Sequence, residues 1–306
     1  MPVSPPADGA YVCHGVTWAT QDPRLLLAPL PDGPLVYAQI MNQRLGVQAA
    51  GTGRWCTGRY RFVDTIRVEA AACPDRAPAE QSGQCNRCAR QDDFRFAHQF
   101  HQGGHAPDAL KAYMDQPHWL YLATFADGTT KVGTAAEPRR RSRLDEQGAL
   151  FATYLAKCAD GRAVRHLEDA LSRRLAVAQT VRATAKLQAL AGLRDVSQAR
   201  AAHARDVDRA AEVLRELDVA VVLETWTPPG EGDGLRAAGA ERVLYPHDLR
   251  EGEHGLTPLS CVGSQVLAVL GHDDVGYLLD LGLLKGRRIL LGSFNSPGTA
   301  VQSALF

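Results

Sequence analysis

Several things are scarce or missing in this 306-residue sequence, and each absence closes a route. There is no excess of either charge sign, since Lys+Arg and Asp+Glu both number 34, so the surface as a whole has no reason to attract polyanions. Any nucleic-acid surface must be local. No apolar run approaches the length needed to span a membrane, and Met1-Pro-Val-Ser-Pro-Pro6 lacks the basic and apolar regions of a signal peptide. The expectation is a cytoplasmic protein with no membrane partner. In that compartment the seven cysteines read as thiols or metal ligands rather than as a disulfide framework. Aromatics make up only 7%, and no internal repeat of fixed period is present. What the chain does have is a 45% hydrophobic content and enough length to bury a core, in two or three domains.

Residues 1–117 read as a β-rich region. Strands are expected at Tyr11–Trp18 and Leu35–Ile40, with Pro29, Pro31, Gly33 and Pro34 breaking the chain between them. Cys13-His14 offers two metal donors, against the plainer reading of a small buried strand cysteine. The stronger signal lies at 56–88, where Cys56 and Cys73 are followed by the CxxC pair Cys85 and Cys88. Zn²⁺ takes four soft donors, and a CxxC turn presents two of them together, so these four cysteines are expected to close a structural zinc site. A thioredoxin-like redox pair is the competing reading, but no βαβ unit surrounds it. The module is poor in large apolar residues and needs a staple of this kind. Downstream, His98, His101, His105 and His118 form a second group of possible ligands, weighed against a solvated Gln/His/Gly-rich linker. A short helix is expected at Ala109–Asp115.

Residues 118–217 read as an α+β unit. Trp119–Phe125, the Asp127-Gly128 turn and Thr129–Gly133 make a hairpin, followed by the run Arg139-Arg-Arg-Ser-Arg143. From Leu167 to about Leu217 the spacing is helical, broken at Gly192 and Asp195. Residues 218–306 turn β-rich again, with strands expected at Val219–Leu223, Leu259–Leu270, Val275–Leu279 and Arg288–Leu291, in a small barrel or sandwich. This module lacks the interleaved aromatics of a base-stacking platform, and its one basic cluster, Lys285-Gly-Arg-Arg288, is a candidate phosphate contact. Because both ends are β-rich, they can pair into one body.

The central stretch resembles the GIY-YIG nuclease superfamily in the order of its parts. Trp119-Leu-Tyr121 stands at the first tripeptide, Lys131-Val-Gly133 at the second, Arg143 with Gln147 at the Rx₃[H/Y] pattern, and Glu168 at the metal-binding Glu. A second resemblance covers most of the chain. The cysteine module, Tyr-Leu-Ala, Lys-Val-Gly-Thr and Arg143-Leu-Asp-Glu-Gln-Gly-Ala149 together are similar to the bacterial family catalogued as domain of unknown function 2797. The first resemblance implies a small mixed sheet with helices, joined to the zinc-stapled N-terminal region and the C-terminal β-module. It also implies metal-dependent hydrolysis of phosphodiesters in DNA or RNA.

That chemistry requires charge stabilisation on the phosphoryl oxygens, an activated water and usually a divalent ion. Glu168 can hold Mg²⁺ or Mn²⁺ with waters completing the shell. Arg143 can clamp the phosphate, Tyr121 and Lys131 can flank the attacking water, and Gln147 can position but not transfer protons. Each has a plainer role: Glu168 as a surface ion-pair partner of Arg165, Arg173 or Arg174, Tyr121 as a packing residue, and the arginine run as a solvated helix start. Two other functional readings accompany the nuclease. One is a catalytically inactive zinc-containing nucleic-acid-binding protein; the other is an interaction scaffold, which the zero net charge favours.

Overall fold

A computed structural model of the chain describes residues 8–64, 66–80, 82–97, 107–193, 195–237, 242–271 and 275–298. The histidines at 98, 101 and 105 lie outside the described residues.

The chain opens with strands β1 (Gly9–Thr17), β2 (Arg24–Pro29), β3 (Val36–Gln39) and β4 (Leu45–Ala49). The cysteine region adds only a ribbon, β5 (Arg59–Phe62) with β6 (Val68–Ala71), and the short helix α1 (Asn86–Arg90). Helix α2 (Asp108–Met114) leads into β7 (His118–Thr124), β8 (Thr130–Ala136), α3 (Arg140–Asp145) and β9 (Phe151–Cys158). Three helices follow: α4 (Gly161–Leu175), α5 (Ala183–Ala191) and α6 (Ser197–Glu216). The last third comprises β10 (Glu224–Thr225), α7 (Asp233–Arg236), β11 (Val243–Leu244), β12 (Glu253–Val262), β13 (Gln265–Val269), β14 (Tyr277–Asp280) and β15 (Arg288–Leu291).

The two ends of the chain share one nine-stranded sheet, in the order β11-β14-β13-β12-β4-β15-β1-β2-β3. The joins are β1 with β15 and β4 with both β12 and β15, all antiparallel. The expected C-terminal barrel or sandwich is therefore replaced by strands that complete a sheet begun at the other end of the chain, as Val12 opposite Arg288, 276 residues on, illustrates. The reason is burial: Leu25, Leu27, Leu45 and Val47 from the N-terminal strands need Leu256, Val266, Leu279 and Ile289 to close one apolar core. The stretch expected as one strand at Leu259–Leu270 is the β12–β13 hairpin, turned at Gly263-Ser264.

The second sheet has four strands, β10-β9-β7-β8, and every ladder in it is antiparallel, so it is not the mixed sheet expected from the sequence. Its central strand β7 is buried along its whole length. Leu120 and Leu122 on one face pack with Leu155, Val164, Leu171 and Leu214 under α4 and α6. Trp119, Tyr121, Ala123 and Phe125 on the other pack with Leu144, Tyr154 and Trp226. Strand β9 was not expected from the sequence, because Phe151-Ala-Thr-Tyr-Leu-Ala-Lys-Cys158 lies in a nearly continuous buried run without clean alternation. Helix α4 begins at Asp160, whose carboxylate accepts from the Arg162 and Ala163 amides at 2.8 and 2.7 Å. Its buried stripe runs Val164, Glu168, Leu171, Leu175. A carboxylate thus occupies a position that the helical spacing assigns to an apolar side chain. Among the described residues no helix is long and apolar enough to cross a membrane.

Candidate functional site

The four cysteines of the N-terminal module converge. The Sγ atoms of Cys56, Cys73, Cys85 and Cys88 all lie within 4.8 Å of one another, and all four residues are buried. Cys73 Sγ and Cys85 Sγ are 3.9 Å apart, near the spacing that thiolates about 2.3 Å from one ion would adopt at tetrahedral angles. Cys85 caps α1, its sulfur accepting from the Cys88 amide at 3.5 Å, and the Gly58 amide donates to Cys56 Sγ at 3.3 Å. Amide donors to sulfur stabilise thiolates, which is the form a metal needs. Burial pushes the Cys56 thiol up to about 11 and the Cys88 thiol higher still. Cys85 is shifted down, because hydrogen bonds from the Cys88 amide and neighbouring thiols outweigh its burial. This cluster can hold a metal such as zinc, and the donor set fits a soft tetrahedral ion.

The other proposed cysteine and histidine ligands are placed elsewhere. Cys13 is fully buried in β1, where desolvation raises it to about 12, and it belongs to the core of the large sheet. His118 is buried in β7, and its Nδ1 donates to the Gln116 carbonyl at 2.8 Å. Among the described residues the four cysteines are the one group of three or more Cys, His, Asp or Glu placed to share an ion.

The residues singled out in the central stretch come together at the β8 edge of the four-stranded sheet. Tyr121 on β7 lies directly opposite Gly133 on β8, and a Cβ added at Gly133 would sit 2.5 Å from the Tyr121 hydroxyl oxygen. The glycine is there because the tyrosine ring crosses it. Lys131, two residues earlier on the same face, donates from Nζ to Gln147 Oε1 at 3.0 Å. Gln147 in turn donates from Nε2 to the Arg143 carbonyl at 3.3 Å. Glu168, on the misplaced position of the α4 stripe, accepts from Arg165 at 2.6 Å.

These groups act on one another electrically. Burial pushes Lys131 down to about 8, with Arg143 and Lys186 adding to the depression and Glu168 opposing it. Tyr121 is raised by burial, while Arg143 pulls it down and Glu168 raises it further. Its hydroxyl is completely enclosed and makes no hydrogen bond of ordinary geometry among the described residues, although the Arg143 guanidinium lies close by. Arg143 itself is held more firmly protonated, its burial outweighed by Tyr121, Glu146 and Glu168. The cysteine module contributes to the same neighbourhood: Arg139 and Arg143 both act on Tyr60 of β5 and Tyr113 of α2.

Lys186 on α5 completes the cluster and was not anticipated. Its Nζ donates to the Gln147 carbonyl at 2.6 Å and lies 4.8 Å from the centre of the Phe125 ring, and burial with Arg143 lowers it to about 8. One signal was available in the sequence: Lys186 is the sole charged residue of α5, on an otherwise apolar and neutral helix. The result is a part-buried patch in which Lys131, Arg143, Arg165 and Lys186 outnumber the carboxylates that act on them, Glu168 on Lys131, Arg143 and Arg165, Glu146 on Arg143 and Asp280 on Lys186, an excess of positive charge suited to an anion. For a hard divalent ion the donor is the Glu168 carboxylate. One carboxylate with waters is within what Mg²⁺ accepts, and Arg165 competes for Oε2.

No curated protein and no solved structure matches this chain. The family described as "Protein of unknown function (DUF2797)" matches residues 67–225, just over half of the chain, spanning part of the cysteine module, the whole β7–β8–β9 core and Glu168. The chain belongs to that family.

Proposed function

We propose that this protein hydrolyses phosphodiester bonds in nucleic acid in a metal-dependent reaction, at the cluster formed by Tyr121, Lys131, Arg143, Gln147 and Glu168. One observation carries the reading: five residues drawn from two strands, two helices and the turn that follows α3, matching in order the parts of the GIY-YIG superfamily, gather in a part-buried, cation-rich patch around the enclosed Tyr121 hydroxyl. The place of Glu168 on the buried face of the helix that follows β9 supports the same reading.

Each side chain then has a role set by its surroundings. Arg143, which burial does not deprotonate, binds the phosphoryl oxygens and stabilises the charge that builds on them. Lys131, lowered to about 8, is neutral in a large fraction of molecules at mildly alkaline pH, so its Nζ can take a proton from the attacking water. Gln147 fixes the direction of that amine by accepting its hydrogen bond. Tyr121, held protonated, donates to the water or to a phosphate oxygen. Glu168 would hold Mg²⁺ or Mn²⁺, which supplies Lewis-acid stabilisation on the leaving-group side. Cys56, Cys73, Cys85 and Cys88 would hold zinc in a purely structural role.

A second reading, a catalytically inactive nucleic-acid-binding protein, is favoured by one contact. The 2.6 Å Arg165–Glu168 ion pair occupies a carboxylate oxygen that the divalent ion would need. Incubating the purified protein with supercoiled plasmid and with structured RNA, in Mg²⁺ or Mn²⁺, separates the two. Nicking that Glu168→Gln reduces by at least about a hundredfold supports hydrolysis, a loss of the size produced by removing one charge-stabilising group. Binding with no cleavage under either ion supports the second reading.

A further inference from the structure

A second cationic surface lies on the large sheet, remote in sequence from the proposed catalytic cluster. Arg54 and Trp55, just before Cys56, are held against the turn Lys285–Arg288 that precedes β15. The Trp55 amide donates to the Gly286 carbonyl at 2.7 Å, the Gly286 amide to the Cys13 carbonyl at 2.8 Å, and the Cys13 amide to the Arg287 carbonyl at 2.9 Å. Gly286 has φ +75, and a Cβ there would press on the Trp55 carbonyl oxygen at 3.3 Å, so the turn needs glycine at this position. The Arg288 guanidinium lies 3.1 Å from the centre of the Trp55 ring, and Arg287 donates to the Thr52 carbonyl. The Lys285 stem rests against Gly15, 3.4 Å from where a Cβ would be, which leaves its ammonium outside.

What sets this surface apart is that several cations gather on it without counter-charge. Other exposed arginines are tied to carboxylates, Arg87 to Asp75, Arg174 to Glu216, Arg209 to Asp206 and Arg250 to Asp248, or, like Arg173 and Arg205, stand on solvated helix faces. None of Arg54, Lys285, Arg287 and Arg288 has a carboxylate partner among the described residues. Asp248 feels Arg287, but its carboxylate is engaged on both oxygens by Arg250. The field also reaches inward: His14, depressed to about 4 first by burial, is pushed further down by Lys285 and Arg76 and stays neutral at physiological pH. In a chain whose charges cancel overall, four unpaired cations fixed on one rigid turn and its neighbour are a local polyanion site.

We propose that Arg54, Lys285, Arg287 and Arg288 form a docking surface for the phosphate backbone of nucleic acid, separate from the catalytic cluster and indifferent to base sequence. Its partner rests on the nucleic-acid reading above. Sequence indifference follows from Trp55, the aromatic of the patch, having one ring face already covered by Arg288 and so offering that face to no base. Arg54 and Lys285 are exposed and support no neighbouring hydrogen bond through their charged ends, so they are the positions to neutralise.

The test measures binding of a short fluorescent DNA duplex by Glu168→Gln protein over a range of salt, with and without Arg54→Gln and Lys285→Gln. Two lost phosphate contacts should make the slope of log K against log salt shallower by about 1.8, with affinity falling alike on unrelated sequences. An unchanged slope and affinity would overturn the proposal, as would binding to phosphatidylserine vesicles but not to the duplex. If wild-type protein cleaves nothing and the slope still changes as stated, the nuclease reading fails and the docking surface stands.

Discussion

The cysteine module and the four-stranded sheet solve the same problem, holding polar side chains close together out of water, by opposite means. In the sheet, Lys131, Gln147 and Glu168 rest on two apolar layers, one of Leu120, Leu122, Val132 and Leu155 and one of Trp119, Tyr121, Phe125 and Leu144. In the module, the buried cluster consists of the four cysteines themselves with Ala77 packed against them. The sheet can lose a polar group and keep its shape. The ribbon of the module packs Phe62 and Val68 against Phe94, Tyr113 and Ala136, but the loops that carry the cysteines have no apolar frame of their own, so their order is expected to depend on what the sulfurs hold.

The sharpest way to break this comparison is to take the metal away. Zinc analysis of the purified protein should return about one ion per chain, and a strong chelator should remove it. Hydrogen exchange should then rise sharply across residues 54–91, while β7–β9 and the large sheet keep their protection. Cys88→Ser should act the same way. Rapid exchange in β7 on chelation, or cysteine loops that stay protected without metal, would show that the sulfurs are not what holds those loops alone.

The second test bears on the sheet side alone. If Lys131 accepts the proton, kcat/KM for phosphodiester cleavage should rise about tenfold per pH unit as the amine deprotonates and level off above about 8. The sign is specific: a lysine acting only as a cation would give activity that falls through the same range. Lys131→Arg should remove the rise and leave thermal stability nearly unchanged. Replacing Gly133 by Val should matter less, costing about 1–3 kcal/mol, because the added carbons meet the Tyr121 ring and one of the two must move. A lowered melting temperature with an unaltered cysteine module would agree with the division drawn above.

How much of this was legible in the sequence follows the same division. Cysteine spacing carried the convergence of Cys56, Cys73, Cys85 and Cys88 into a cluster that can hold a metal, because a CxxC turn places two of the four donors together by local geometry alone. The β7–β8 hairpin was legible from Gly128 and its flanking β-prone runs, and the α5–α6 break from Gly192 and Asp195. Strands β2 and β9 were not, because Leu25–Ala28 and Ala152–Ala156 are buried without alternation and have no period to read. The stretch Val219–Leu223 looked like a buried strand; it runs beside β9, with the Val222 amide bonded to the Leu155 carbonyl, but Val222 and Leu223 are exposed and only Glu224–Thr225 forms a ladder. In the candidate site, Tyr121, Lys131, Arg143, Gln147 and Glu168 were nameable by order, whereas Lys186 enters from a helix brought in by tertiary packing. Pairing of the chain ends was suggested by composition alone; its register was not, since long-range strand order depends on which apolar faces complete each other.

The smallest predicted effect sharpens the claim that the sheet tolerates changes to its polar groups. Asp145 is buried at the end of α3, accepts from Trp226 Nε1 at 3.0 Å, and is raised from 3.8 to about 6, chiefly by desolvation. Because the folded state binds this proton more tightly than the unfolded chain, the stability linked to it is complete below pH 3.8 and is lost as pH rises through 6. Asp145→Asn keeps the oxygen that Trp226 needs and removes the buried charge. The variant should therefore match wild type in melting temperature under strongly acidic conditions and exceed it by on the order of a few degrees above pH 6, the gap opening between those limits. A gap that is constant with pH, or of opposite sign, would mean that the carboxylate is stabilised by groups other than Trp226. The tolerance inferred for the sheet would then not extend to the end of α3.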